Sequence, residues 1–264
     1  MLKILISLIL ATLIPVQGLA DNSGHAGHNS APPDAPARLE VILKTLDPEQ
    51  ANPLFAQLAG GDGSLLTPER LEEVHTEKVH FLVVDETLAD YHHLHPEPGP
   101  LLGTYITSFT PSADRSYRIW ADITPVGQQR QFPSALLKGQ NPCSGSCADK
   151  TVSLQGQAEG LKATLSFDGP LKAGIPVMGT FRITTDASNQ PITDLEPVMG
   201  ARAHIAGFYD DFATMAHIHP LEQGASSPGL QFHLTPERSG FLKLFLQVRQ
   251  NGRDILIPFG VTVS

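Results

Sequence analysis

The chain is poor in cysteine, in basic residues and, after its first turns, in long apolar runs. It has two cysteines among 264 residues, and 18 Lys and Arg stand against 27 Asp and Glu, for a formal net charge of −9. With no basic patch, nucleic acid is excluded as an expected partner. Beyond residue 20 no stretch is apolar for long enough to span a bilayer, so no membrane span is expected once a leader is removed. No nucleophile–His–acid arrangement and no general base at a telling spacing are present, so the chain is not expected to be an enzyme. A three-histidine site with an open position that activates water would be the enzymatic alternative.

Residues 1–20 carry Lys3, an apolar run from Ile4 to Val16, and Gly18 and Ala20 at the −3 and −1 positions of a cleavage site. This is the pattern of a secretory signal peptide, and it predicts a periplasmic, exported protein beginning near Asp21. Losing Lys3 moves the formal charge from −9 to −10. Residues 21–37 are rich in Pro, Ala and Gly and read as a disordered tail that carries His25 and His28. Residues 38–75 read as a helical segment: "RLEVILKTL" suits a short helix, and "LTPERLEEVH" offers Thr67 as a cap with Pro68 at the first position. Cys143 and Cys147, in "NPCSGSCADK", lie in a linker over 139–160. In an oxidising compartment a disulfide is their default state, with a metal or redox role as the alternative.

What the sequence does have is an internal repeat. "KVHFLVVDETLADYHHLHP" at 78–96 aligns without gaps on "RAHIAGFYDDFATMAHIHP" at 202–220. After one inserted residue, "FTPSADRSYRIWADI" at 109–123 lies on "LTPERSGFLKLFLQV" at 234–248. His80 falls on His204, His93 on His217, His95 on His219 and Pro96 on Pro220. Repetition over loops and strands alike means two copies of one structural unit. The first β repeat is placed at 76–138, and a second β-sandwich domain containing the second repeat at 161–264. "KATLSFDG" and "VMGTFRITTD" supply extra strands to the second copy. The expected class is therefore mainly β: two related antiparallel β-sandwich domains of the immunoglobulin or cupredoxin-like kind, with a short N-terminal helical segment. The first copy has no evident equivalent of the extra strands. Either residues 151–157 or the 38–75 segment covers its open face.

The spacing of the histidines has a geometric reading. If 79–84 and 90–95 form a hairpin centred between Thr87 and Leu88, His80 lies opposite His95. Side chains on a strand alternate faces, so His93 and His95 share one, and His80 joins them. Opposed Cβ atoms sit about 5 Å apart, close enough for three imidazoles to reach one ion. The same register gathers His204, His217 and His219 in the second copy. These six residues are the candidate metal ligands, at up to two ions per chain. Tyr91 and Met215 fall on the histidine face, where Met215 could add a soft ligand. His92 points the other way, and His75 and His233 have no counterparts. The acidic pairs Asp85/Glu86 and Asp210/Asp211 could orient ligands. Without metal, the histidines would be hydrogen-bonded packing elements of an adhesion or scaffold module.

Imidazole-only sites suit copper and zinc. Copper is placed first because His25 and His28 could capture the ion loosely, and zinc second. The Cys-x-x-x-Cys spacing is similar to that of Sco-type copper chaperones, although no thioredoxin-like βαβ pattern surrounds it. The region 67–138 resembles bacterial exported proteins of uncharacterised function with duplicated His-x-His-Pro hairpins. The segment 165–197, "LSFDGPLKAGIPVMGTFRITTDASNQPITDLEP", is similar to sandwich domains that accompany heavy-metal handling modules. The resemblance implies no defined activity; it is the matched histidine spacing that leads to the expectation of a transition-metal binding protein for sequestration, delivery or tolerance, with the metal ion and another exported metal-handling protein as the expected partners.

Overall fold

In a computed structural model, residues 35–42, 46–145, 147–221 and 229–264 are described. The leader, His25 and His28 lie outside them. Sixteen strands run in chain order among the described residues: β1 (Arg38–Ile42), β2 (Asn52–Ala59), β3 (His80–Asp85), β4 (Tyr91–Leu94), β5 (Glu97–Pro98), β6 (Thr104–Phe109), β7 (Tyr117–Asp122), β8 (Ser134–Leu137), β9 (Gln155–Ala158), β10 (Leu161–Phe167), β11 (Val177–Thr185), β12 (His204–Tyr209), β13 (Met215–Ile218), β14 (Gly229–Leu234), β15 (Gly240–Gln250) and β16 (Arg253–Val263). They form four antiparallel sheets, β1-β2-β6-β5, β4-β3-β7-β8, β13-β12-β15-β16 and β14-β11-β10-β9. The protein is mainly β and built as β-sandwiches. No described helix is long and apolar enough to cross a membrane.

The helical segment expected over 38–75 is instead strand, with one 3-10 turn at Pro68–Arg70. The reason lies in the side-chain period. Leu39 and Leu54, Ala56 and Leu58 are buried at alternate positions, and Leu39 pairs with Leu58 across the β1–β2 ladder. A short helix in isolation is marginal, whereas this ladder buries Leu39, Leu54, Ala56 and Leu58 on one face. The turn that starts at Thr67 stops early because the backbone beyond it is captured by residues 124–126. Glu72 N donates to Thr124 O at 2.8 Å, and Val126 N donates to Arg70 O at 2.9 Å. Lys78 Nζ then donates to the carbonyls of Pro68 and Leu71 at 2.8 and 3.0 Å.

This segment also answers which part of the chain covers the first repeat. β1, β2 and β6 pack on β3 and β7 around Leu54, Leu58, Phe81, Val83, Tyr105, Tyr117 and Ile119. The other candidate, residues 151–157, goes to the second sandwich. Ser153 bridges Gly260 and β9 pairs with β10. The second core gathers Leu165, Phe181, Phe232, Leu244 and Phe259.

A third apolar cluster joins the two repeats. It holds Leu82, Val84, Leu88, Tyr91 and Trp120 from the first copy and Ala206, Phe208, Met215 and Phe245 from the second. Every residue of β3 and of β12 is buried. Odd-numbered Phe81 and Val83 face their own sandwich core, and even-numbered Leu82 and Val84 face the other repeat. By this parity His80 sits on the docking face, and so does His204 beside Ala206 and Phe208. The histidine faces of the two copies are therefore turned toward each other.

Two αL residues close the equivalent hairpins. Leu88 has φ 58° and Phe212 φ 53°, conformations that cost a non-glycine residue free energy. Both follow a tight turn: Leu88 N donates to Asp85 O at 2.9 Å and Phe212 N to Tyr209 O at 3.0 Å. Burial of Leu88 in the joining cluster and Arg118 Nε donating to Phe212 O at 2.6 Å hold these turns in place.

Candidate metal centre

The hairpin register is the one the spacing implied. Phe81 pairs with Leu94 and Leu82 with His93, and in the second copy Ile205 pairs with Ile218 and Ala206 with His217. One further step places His80 across from His95 and His204 across from His219. His80 Nδ1 lies 3.2 Å from His93 Nε2 and 3.1 Å from His95 Nε2. His204 Nδ1 lies 3.3 Å from His217 Nε2. For a tetrahedral ion with bonds of about 2.0–2.1 Å to nitrogen, ligand nitrogens stand about 3.3 Å apart.

The tautomers follow from the far side of each ring. His80 Nε2 is 3.0 Å from Val74 O, and His204 Nε2 is 3.1 Å from Val198 O. A carbonyl only accepts, so both Nε2 atoms carry the proton and both Nδ1 atoms hold a lone pair. His93 Nδ1 donates to Gln247 Oε1 at 3.0 Å. The amide is oriented by its nitrogen, which donates to Asp254 Oδ2 at 3.5 Å. His95 Nδ1 lies 3.4 Å from Glu77 Oε1, and His217 Nδ1 donates to Asp122 Oδ2 at 2.5 Å. Each of these rings thus turns a bare nitrogen inward. His80 faces His93, and His204 faces His217, lone pair against lone pair, with no proton on either side to share.

Protonating a ring would relieve this contact, but the surroundings oppose it. Burial pushes the His80 imidazolium down to about 4 and that of His204 to about 3. Burial likewise holds His93 well below its ordinary range and lowers His219. His95 and His217 are lowered by burial as well, with Glu77 and Asp122 pulling the other way. Burial would raise the Asp122 carboxyl, but hydrogen bonds from Arg130 and His217 outweigh it and keep Asp122 ionised. Arg130 grips both carboxylate oxygens through Nε and Nη2. Neutral rings with outward protons anchored on carbonyl, amide and carboxylate groups are the arrangement of metal-binding histidines.

The two sets are not separate. His93 rings stand 4.9 Å from His204 and 5.1 Å from His217, centroid to centroid. Among the described residues, histidine donor atoms within 4.8 Å of one another form two groups, His80/His93/His95 and His93/His204/His217, and a third group of Glu86, Cys143 and Cys147 lies apart from them. The third expected member of the second copy, His219, stands beside the pair, 4.9 Å from His204 and 4.6 Å from His217 between ring centres. Its Nε2 is buried and has no hydrogen-bond partner. His75, without a counterpart in the repeat, packs on His219 at 3.8 Å between centroids. His92 turns to the opposite face, 3.0 Å from Asp90 Oδ1. His233 is exposed on β14, paired with Met178. Met215 is buried in the joining cluster among apolar side chains. Cys143 and Cys147 are joined in a disulfide with Cα atoms 6.2 Å apart.

Gln247, Asp122 and the two valine carbonyls are the parts the sequence reading missed. Asp122 falls on Gln247 in the alignment of the second blocks, and Val74 on Val198 at the offset of the first. A polar residue at equivalent places in two otherwise apolar strands was the available clue.

Comparison with known proteins finds one family model similar to the C-terminal part of the chain. Residues 156–264 match a domain of unknown function (DUF8832). The DUF8832 match begins within β9, where the second sandwich begins. No curated protein matches the chain. Among solved structures it is similar to a transglutaminase of red sea bream (11% identity, TM-score 0.24), the E. coli alpha-2-macroglobulin (12%, 0.28) and a bacterial ice-binding adhesin (11%, 0.26). These alignments cover 86%, 89% and 87% of this chain, which spans 31%, 15% and 65% of theirs.

Proposed function

We propose that this is a binding protein for a transition metal, copper first and zinc second, acting in sequestration, delivery or tolerance. One observation carries the reading: the bare nitrogens of His93 and His95 lie 3.2 and 3.1 Å from that of His80, all three within 4.8 Å of one another, while each ring's other nitrogen is anchored elsewhere. A cation between them replaces lone-pair repulsion by three bonds. All the donors are imidazoles, which suits copper and zinc over the oxygen-seeking ions. The disulfide leaves the cysteine pair out of the ligand set. The reading is of binding and not of catalysis, because the donors face one another between packed sheets. It goes with export to the periplasm, as the leader-like first twenty residues suggest, and with another exported metal-handling protein as donor or acceptor of the ion.

The test is elemental analysis of the purified protein after loading with copper or zinc and desalting. Retained metal that disappears on changing His80 and His93 together to Ala supports the proposal. No retained metal sinks it. If the same double change lowers stability equally with and without metal, the histidines are packing elements of a scaffold.

A further inference from the structure

The repeat suggests two equal sites, one in each copy, but the donors are not distributed that way. We infer that the two repeats together hold a single ion between them, because the two ligand groups share His93. The inference rests on the metal-binding reading above and concerns how many ions the site takes and by what route.

His93 belongs to both groups of converging donors. A neutral imidazole has one lone pair to give. Serving a second ion would require the ring to lose its remaining proton, and that proton is held by Gln247 Oε1 at 3.0 Å. The first group therefore empties the second when it is filled, and the reverse. The alternative is that His219 replaces His93 in the second group and makes it independent. Its ring lies near enough, but its Nε2 is not among the converged donors. Its ring instead packs against His75, tilted by 38°.

The two positions also differ in access. In the first group His95 keeps 22% of its side chain in solvent, beside Glu77 at 40%. In the second group His204 and His217 are 1% and 5% exposed. An ion enters at His95, is held by His80 and His93, and reaches His204 and His217 by way of His93, which belongs to both groups. The first position is a port and the second an interior berth, with one occupant for both.

The experiment counts ions. The full chain carrying His25→Ala and His28→Ala, so that the other closely spaced histidines do not contribute, is saturated with Cu(II) or with Zn(II), desalted and weighed by native mass spectrometry. One ion per chain is expected. Two ions overturn the shared site while leaving metal binding intact, and none overturns both. His219→Ala is expected to keep one ion with affinity unchanged within about twofold. His204→Ala and His95→Ala are each expected to keep one, the latter loading more slowly in stopped-flow mixing. His93→Ala is expected to keep none, and one ion retained by that variant, with far-UV circular dichroism unchanged, overturns the inference.

Discussion

His93 of the first repeat is held by Gln247 of the second, Nδ1 donating to Oε1 at 3.0 Å, and His217 of the second is held by Asp122 of the first, at 2.5 Å. Each copy thus fixes the tautomer and tilt of a histidine in the other. The proposed ligand set is complete only where the two sheets dock.

Gln247→Leu should weaken metal affinity although Gln247 touches no ion in the proposed site. Loss of an outer hydrogen-bond partner of a ligating histidine costs about 10–100-fold. Competition against a chromogenic chelator measures it. Affinity unchanged within twofold would show that Gln247 does not position His93.

Asp122→Ala should destabilise the metal-free protein by about 2–3 kcal/mol. Breaking a fully buried ion pair costs about 3–5 kcal/mol, and the loss is smaller here because the Arg130 side chain is 31% exposed and keeps some hydration. Urea denaturation followed by circular dichroism reads the difference. A change below about 0.5 kcal/mol, the size of ordinary surface effects, would mean that Arg130 and His217 find other partners.

The metal-free protein should lose stability in mild acid. The folded imidazolium values of His80 and His204, about 4 and 3, lie below the unfolded value of 6.5. Unfolded chains therefore bind more protons between those limits, and stability falls as pH drops. The contribution is whole above pH 6.5 and is lost progressively between 6.5 and about 3–4. Denaturation midpoints at pH 7.5 and 5 test the sign. The His80→Ala/His204→Ala variant should show a shallower slope, and an equal slope would contradict the assignment.

Two tyrosines should answer differently to loss of their hydroxyl. Tyr91 Oη is buried without a hydrogen-bond partner, so Tyr91→Phe should be neutral or stabilising by up to about 1 kcal/mol. Tyr117 Oη donates to Asp90 Oδ2 at 2.6 Å, so Tyr117→Phe should cost about 1–2 kcal/mol. Thermal melts of the two variants side by side settle the order.

The strands of the two repeats and the register of the histidine hairpins were legible because both depend on local period and loop length. Val83 and Leu82 alternate, and the loop from Asp85 to Asp90 matches the one from Tyr209 to Thr214 in length, so parity alone placed His80 with His93 and His95. The segment at 38–75 misled because capping chemistry at Thr67 and a short apolar run at 38–46 are helix-like locally, while the ladder that wins is formed with β6, far along the chain. The joining of the two histidine sets was not legible at all. It depends on which face of each sheet docks, and the same alternation of Leu82 and Val83 would serve two sandwiches standing apart. Gln247 and Asp122 could be seen as equivalent positions but not as reaching across.

The reciprocal contacts have a consequence for what a duplicated chain can do that a homodimer cannot. Two identical subunits meeting about a twofold axis must present the same residue at both equivalent positions. Here one position is a carboxylate, Asp122, neutralised by Arg130, and the other an amide, Gln247. With both copies in one chain the halves of a symmetric contact can differ in charge, so that two equivalent histidines of the repeat, His217 and His93, have a carboxylate and an amide as outer partners. A site with an inside and an outside can be made from one motif used twice.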